Sequence, residues 1–383
     1  MPSVVSVFGV DPLRIGGTET FARELSTQLA ESGWDSVLCF LSEPPPDVRR
    51  FLERPNVTIA VLEESIGINW QSTRNLATIL RRYRPAILHL HFTGFLGVYP
   101  WLGRMCSVRK VFFTDQTSRP AGYEPHRAAL WKRGLVRIIN WPLTQVTCVS
   151  EYGYRCMTSL GVLPNERYKM IYNSVDLSRV CSSAERTADF RRKHAIPEGR
   201  TVVTQVSWII PEKGIPDLLE AARLVLQQDE NVQFVFVGEG EYREQYAKDA
   251  SAMGLGDHVT WTGMIQDPFG EGVYDAADIV CQVSNWEEVF GWVIAEAMAY
   301  GKPILGTRVG GIPELVTDQQ SGFVVDRGDS RAMAEKILTL AANPQLRQRM
   351  GKVGSEAVAA RFDLRTNVRK LVDLYGISGN NCK

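Results

Sequence analysis

Two carboxylates in the stretch EEVFGWVIAEAMAYGKPILGTRVGGIPELV, Glu288 and Glu296, are spaced to hold two parts of one polar ligand. They are eight residues apart, a rotation of about 80° beyond two full turns if a single helix spans both. A helix beginning near Phe290 instead leaves Glu288 in the preceding loop and puts Glu296 on its second turn. Glu288 then reaches a ligand at the helix start, Glu296 bonds a deeper part of it, and the amides of Phe290, Gly291 and Trp292 face a phosphate. Spacing alone also allows a solvated acidic face, but the apolar surroundings and the strand-like PILGT that follows count against that reading. A second feature is Gly16–Gly17, which lets backbone approach a ligand closely just before a helix whose free amides favour an anion. Alone it is equally a tight strand-to-helix turn, and it is not the GxGxxG of a dinucleotide oxidoreductase. His89 and His91 alternate on one strand and so share a face. Either the pair reaches a site, or it is one core and one edge histidine. The chain has no DxD triplet and no other metal-ligand spacing of histidines, so no metal and no cofactor is expected.

The elements that must position these residues alternate from end to end. Strands are expected at 4–10, 37–41, 57–61, 87–91, 110–114 and 146–150, with amphipathic helices at 18–32, 71–83 and 151–160 among them. The pattern restarts with strands at 202–208, 233–238, 259–262, 279–282, 303–307 and 323–325. Strands interleaved with helices mean crossover units and parallel sheets, and apolar runs such as VQFVFVG suit sheets covered on both faces. The series is too long for one sheet and predicts two Rossmann-like, doubly wound lobes, with ligand in the cleft at the carboxyl ends of the strands. The polar stretch 176–200 separates them. The expected division is 1–176 plus a tail of about 362–383 against 177–361, the helical tail (about 344–375) crossing back to the first lobe.

The 383 residues are 44% hydrophobic and 22% charged, which excludes a disordered chain, a collagen or a coiled-coil rod. No apolar run reaches the roughly 18 residues of a bilayer span. The opening MPSVVSVFGV reads as a buried strand rather than a signal peptide. Seven cysteines, at 39, 106, 148, 156, 181, 281 and 382, are odd in number and lack a CxxC pair. A disulfide framework or zinc site is disfavoured, and a reducing cytoplasm fits best. Net charge is zero, yet residues 1–180 carry 21 Lys and Arg against 15 Asp and Glu. That asymmetry is either a face for an anionic partner or a scatter without meaning.

The segment from Glu288 to Val316 closely resembles the signature of the retaining glycosyltransferases of family GT4, which have the GT-B fold: E-x7-E, then AMA-x-G-x-P-(I/V), then VGG-x-PE-(L/I)-V. The resemblance extends to GGTE at 16–19, TCVSEYG at 147–153, IYNSVD at 171–176, PEKGI at 211–215 and FVGEGEYRE at 236–244, covering essentially the whole chain in order. It implies transfer of a sugar from a nucleoside-diphosphate-sugar to a hydroxyl acceptor, with retention of configuration and without a metal. Glu288 would hold donor-sugar hydroxyls and Glu296 the ribose diol. Lys213 would sit on the diphosphate, with Gly16 and Gly17 against it from the other lobe. Val289, Phe290 and Gly291 would complete the donor site, and Gly263–Met264 would lie near the base. Same-face attack would let the departing phosphate oxygen accept the acceptor's proton, so no dedicated protein base is required.

Two positions depart from the family pattern. Where many relatives have a histidine near the donor sugar, VFFTDQTSR sets Gln116 with Asp115 beside it, and an amide cannot exchange a proton at neutral pH. Where the family usually has Gly-Arg before the PEKG loop, this chain has Ser207–Trp208. Loss of that guanidinium removes phosphate attraction unless Arg14 or Arg308 substitutes, and Trp208 is placed to cover an apolar part of a ligand. His91 is a further candidate contact for sugar or acceptor. On the acceptor side, EPHRAALWKRGLVRIINWPL (124–143) is basic and aromatic. It is either an interfacial helix serving a lipid-linked acceptor on the inner membrane face, or an ordinary helix with Leu130, Leu135, Ile138 and Ile139 packed inward; a glycan or small natural product as acceptor also remains open. No nucleic-acid partner is expected. Two rival functions are a sugar-nucleotide-binding homologue with little activity, distinguished by absence of turnover, and a nucleotide-sugar epimerase, distinguished by product formation without acceptor.

Overall fold

The computed structural model describes residues 1–62 and 70–377, so Cys382 lies outside the described residues. The chain divides into two units, one of residues 1–117, 124–173 and 364–383, the other of 118–123 and 174–363. The segment Ser118–Tyr123, given to the first lobe by the sequence reading, groups with the second unit because Arg119 pairs with Glu287 there in an antiparallel bridge.

The first unit is built on seven parallel strands: β1 (Ser3–Phe8), β2 (Asp35–Phe40), β3 (Val57–Val61), β4 (Ile87–His91), β5 (Lys110–Asp115), β6 (Gln145–Cys148) and β7 (Tyr168–Met170). Their order is β3-β2-β1-β4-β5-β6-β7. The second unit has six: β8 (Thr201–Val206), β9 (Val232–Val237), β10 (Val259–Gly263), β11 (Ile279–Gln282), β12 (Ile304–Thr307) and β13 (Gly322–Val325), in the order β10-β9-β8-β11-β12-β13. In each sheet the strand order reverses once, between β1 and β4 and between β8 and β11. At such a reversal the loops leaving the two flanking strands diverge and leave room for a ligand. Both faces of the central strands are covered, and every residue of β1, β4 and β9 is buried, which accounts for their unbroken apolar character.

The helical tail is not one run. It breaks at Phe362–Asp363 into helices Pro344–Arg361 and Leu364–Tyr375, the first in the second unit and the second in the first. Leu364, Val368, Leu371, Val372 and Tyr375 form one helical stripe against Val4, Leu25, Leu29, Ile87 and Phe112. The tail therefore completes the core of the first unit. Among the described residues no helix is long and apolar enough to cross a membrane.

Candidate functional site

The loops that leave β8 and β11, the strands flanking the reversal in the second sheet, carry Lys213 and Glu288. Lys213 ends a single 3-10 turn, Pro211–Lys213, and the next residue, Gly214, adopts φ +68°. A side chain at Gly214 would collide with the Val283 carbonyl, 1.9 Å from the position of its Cβ. Only glycine lets the two loops close together here. Asn285 N–H donates to the Glu212 carbonyl at 2.7 Å, Gln205 Nε2 to the Lys213 carbonyl at 2.8 Å, and Thr307 Oγ1 to the Ser284 carbonyl at 2.8 Å. The VGG motif fixes the other end, where Gly311 N–H donates to the Glu288 carbonyl at 2.7 Å. Gly310, at φ +52°, passes so close to Glu288 that a Cβ would stand 2.0 Å from its carbonyl oxygen.

This backbone frame brings Lys213 Nζ to 2.5 Å from Glu288 Oε1, with only 14% and 9% of the two side chains exposed. Ser284 Oγ donates to the same oxygen at 2.6 Å and Trp286 Nε1 at 3.0 Å, while Ser118 Oγ donates to Oε2 at 3.0 Å. The ammonium also lies 4.9 Å from the centre of the Trp286 ring, a cation–π contact. Burial pushes the Glu288 carboxyl up, but the Lys213 charge and the hydrogen bonds from Lys213, Ser284 and Trp286 outweigh it, and the acid is held below its ordinary value. The result is an ionised carboxylate and a cation in a desolvated setting, able to accept from hydroxyls and to neutralise an anion. Neighbouring Glu287 has a different task. It accepts from Gly122 N–H at 2.9 Å and Gly310 N–H at 2.7 Å and pairs with Arg327, fastening the 118–123 segment and the VGG turn.

Glu296 stands on the second turn of the helix Trp292–Ala299, capped by Gly291, so this helix starts two residues later than the sequence spacing suggested. The Tyr274 hydroxyl donates to Glu296 Oε2. Val289 and Phe290 are buried in the approach to the helix, Phe290 edge-on to Phe362. Gly263 closes β10 at φ +76° and accepts from Gly238 N–H at 3.0 Å, with Met264 half-buried after it. Trp208 is 52% exposed in the loop after β8. Arg308 is engaged with Asp326 at 3.3 Å, which an anion would have to displace.

In the first unit, the helix after β1 begins at Gly17, and the Gly16 amide is already bonded to Glu19 Oε2 at 3.0 Å. Gly16 is the N-cap of that helix, and this bond is half of a capping box. Burial raises the Glu19 acid to about 7, against the opposing pull of backbone hydrogen bonds and Arg14. Arg14 is half-buried beside Gly16. Gln116 follows Asp115, the buried last residue of β5, and its Nε2 donates to Asn173 Oδ1 at 3.3 Å.

The His-x-His pair is not at a surface. Strand β4 is central, so alternation puts both rings on one covered face, with centroids 3.9 Å apart. His89 is a core residue, bonded through Nδ1 to the Tyr375 hydroxyl at 2.5 Å and through Nε2 to Thr114 Oγ1 at 2.6 Å. His91 stacks on Phe8 at 4.8 Å, and neither of its nitrogens has a hydrogen-bond partner, although the Gln116 side chain lies beside it. Desolvation lowers it to about 3, so it is a neutral ring.

The expectation of inward packing is also corrected for Leu130, Leu135 and Ile138, which are exposed, whereas Ile139 is half-buried. The helix runs over Leu130–Ile139, and none of its residues is buried. Sequence reasoning named Glu288 and Lys213 but missed their supporting donors. Ser284 and Trp286 lie within four residues of Glu288 in SNWEE and were within reach of a local reading. Ser118 arrives from 170 residues away, with no local signal.

The second unit is thus a doubly wound α/β unit with a buried lysine–carboxylate pair where its strand order reverses. Residues 186–357 match the model of glycosyl transferases group 1, and residues 15–179 that of glycosyltransferase family 4. The chain belongs to this family of glycosyltransferases. It is 28% identical to alpha-D-kanosaminyltransferase of Streptomyces kanamyceticus over 77% of this chain and 78% of that protein. It is 25% identical to N-acetyl-alpha-D-glucosaminyl L-malate synthase of Bacillus anthracis over 94% of each. Anabaena HepE, solved in complex with UDP-glucose, shares the GT-B fold at a TM-score of 0.81 and 19% identity, over 98% of this chain and 100% of that one.

Proposed function

We propose that the protein transfers a sugar from a nucleoside-diphosphate-sugar to a hydroxyl acceptor, with retention of anomeric configuration and without a metal. The observation that carries this reading is the buried Lys213–Glu288 pair at 2.5 Å, held by the loops of the two strands that flank the sheet reversal. Lys213 sits on the diphosphate and offsets the charge that grows there as the sugar leaves, a preorganised cation needing no metal. Glu288 accepts from donor-sugar hydroxyls, and Glu296 from the ribose diol. Gly263–Met264 lie along the base, and Gly291 begins the helix under the phosphates. In the first unit, Gly16, Gly17, Asp115 and Gln116 are retained as candidate donor contacts on the family resemblance alone.

In the reaction the bond between C1 and the diphosphate oxygen breaks, and a bond from C1 to the acceptor oxygen forms on the same face. The acceptor's proton passes to the departing phosphate oxygen, so charge and atoms balance without a protein base. The test is incubation of the full chain with each nucleotide-sugar, followed by proton NMR of the released sugar or product, with and without EDTA. Net retention, EDTA resistance and loss of turnover in Glu288→Ala support the reading, whereas inversion or EDTA inhibition overturns it. Trp208 and Gln116, standing where relatives carry arginine and histidine, favour a second reading: a homologue that binds sugar nucleotide and does not turn it over. Saturable donor binding with no turnover identifies that case.

A further inference from the structure

The helix Leu130–Ile139 is turned inside out for a water-soluble surface. Arg133, Val136 and the following Asn140 form the side that faces the first unit: Arg133 Nε donates to the Gly161 carbonyl at 2.9 Å, and Asn140 is fully buried. The opposite stripe, at i, i+4 and i+7, is Trp131, Leu135 and Ile138, exposed by 68%, 51% and 65%. The short helix Tyr99–Met105 extends this surface. Trp101 Nε1 donates to the Ile138 carbonyl at 3.2 Å, tying the helices together, and Trp101 and Met105 are exposed as well. Scattered exposed apolar residues need no explanation, but a row of them on two linked helices does.

The charge around the row selects the partner. The segment 124–143 holds Arg127, Lys132, Arg133 and Arg137 against a single acid, Glu124. Lys132 lies 5.5 Å from the Trp131 ring centre, and Arg137 and Arg127 are exposed. A second copy of the same surface would bring like charges together. Tryptophans beside lysine and arginine, with leucine and isoleucine between them, match the boundary between lipid headgroups and acyl chains, where apolar side chains enter and cations meet phosphates.

We propose that this two-helix face docks the protein on an anionic lipid bilayer, lying in the interface without crossing it. The proposal goes beyond the donor chemistry above and stands independently of it, because its test contains no sugar nucleotide. Full-length protein is floated with vesicles of phosphatidylcholine alone or mixed with phosphatidylglycerol. Binding to the mixed vesicles only, weakened by salt, is expected. Lys132→Gln with Arg137→Gln should weaken it roughly thirty-fold, and Trp131→Ser with Leu135→Ser and Ile138→Ser should abolish it. All these side chains are exposed, so melting curves of both variants should match the parent. Three results overturn the proposal: no binding to anionic vesicles, equal binding to neutral ones, or a parent dimer in sedimentation that the triple serine variant dissolves.

Discussion

Replacing Lys213 with methionine keeps the length of the side chain and deletes its charge, which isolates the central electrostatic feature of the second unit. At 2.5 Å and an effective dielectric of about 20, the gross attraction to Glu288 is roughly 6–7 kcal/mol. Desolvation of the two ions cancels much of that, so the intact pair contributes little net stability. Removing one partner is another matter, because a carboxylate with 9% of its side chain exposed then remains without its counter-ion, at a cost of about 3–5 kcal/mol. The three neutral donors, Ser284, Trp286 and Ser118, stay in place and put the expected loss near the lower bound.

The pH dependence should change sign. In the parent, Glu288 is held below its ordinary value of 4.5, so its contribution is present above that value and is lost as pH falls below it. In Lys213→Met, burial governs and lifts the acid, so stability should rise as pH falls through the lifted value toward the ordinary 4.5. Urea unfolding monitored from about pH 3 to 8 reads both effects, and Lys213→Met with Glu288→Gln should recover most of the loss. A coupling between the two sites below about 0.5 kcal/mol, or a single variant with the parent's pH slope, would refute the reasoning.

Gly310→Ala should lower stability by about 2–4 kcal/mol and remove donor binding, since φ is +52° and the new Cβ meets the Glu288 carbonyl at 2.0 Å; a melting temperature within a degree of the parent would contradict this. Glu19, raised to about 7, should make the first unit lose stability as pH climbs from 4.5 to 7, because the folded state holds a proton that the unfolded state has released. Glu19→Gln should remove that decline, worth about 3 kcal/mol, and parallel pH profiles for parent and variant would show that Glu19 ionises normally.

Most of the strand framework was legible because parallel strands buried on both faces read as short apolar runs, and their ends differ from expectation by one or two residues. Strand β7 was missed because it has three residues, Tyr168–Met170, two of them exposed, and so lacks an apolar run. A division near residue 362 was expected, but the helix was read as running through it because helical periodicity continues on either side of Phe362–Asp363. At the site, Glu288, Glu296 and Lys213 stood out because motif and spacing are local. Ser118 and the bridge from Arg119 to Glu287 depend on a loop of one half of the chain joining the other unit, which periodicity cannot encode. The 130–139 helix shows the reverse limit. Its apolar stripe was plain in the sequence, but a stripe does not say whether protein or something else covers it.

The most direct test of the donor site is a thermal-shift panel of UDP-, GDP-, ADP- and dTDP-sugars with the bare diphosphates, run on the parent, Glu288→Gln and Glu296→Gln. A ligand at 100 times its dissociation constant stabilises by about 2.7 kcal/mol, roughly 5–10 °C for a unit of this size. The account predicts a shift for one class of sugar nucleotide in the parent. It also predicts that Glu288→Gln keeps the shift with bare diphosphate and weakens that with the sugar nucleotide, while Glu296→Gln weakens both. No shift with any ligand in the parent, or equal loss of both ligands in both variants, would contradict it.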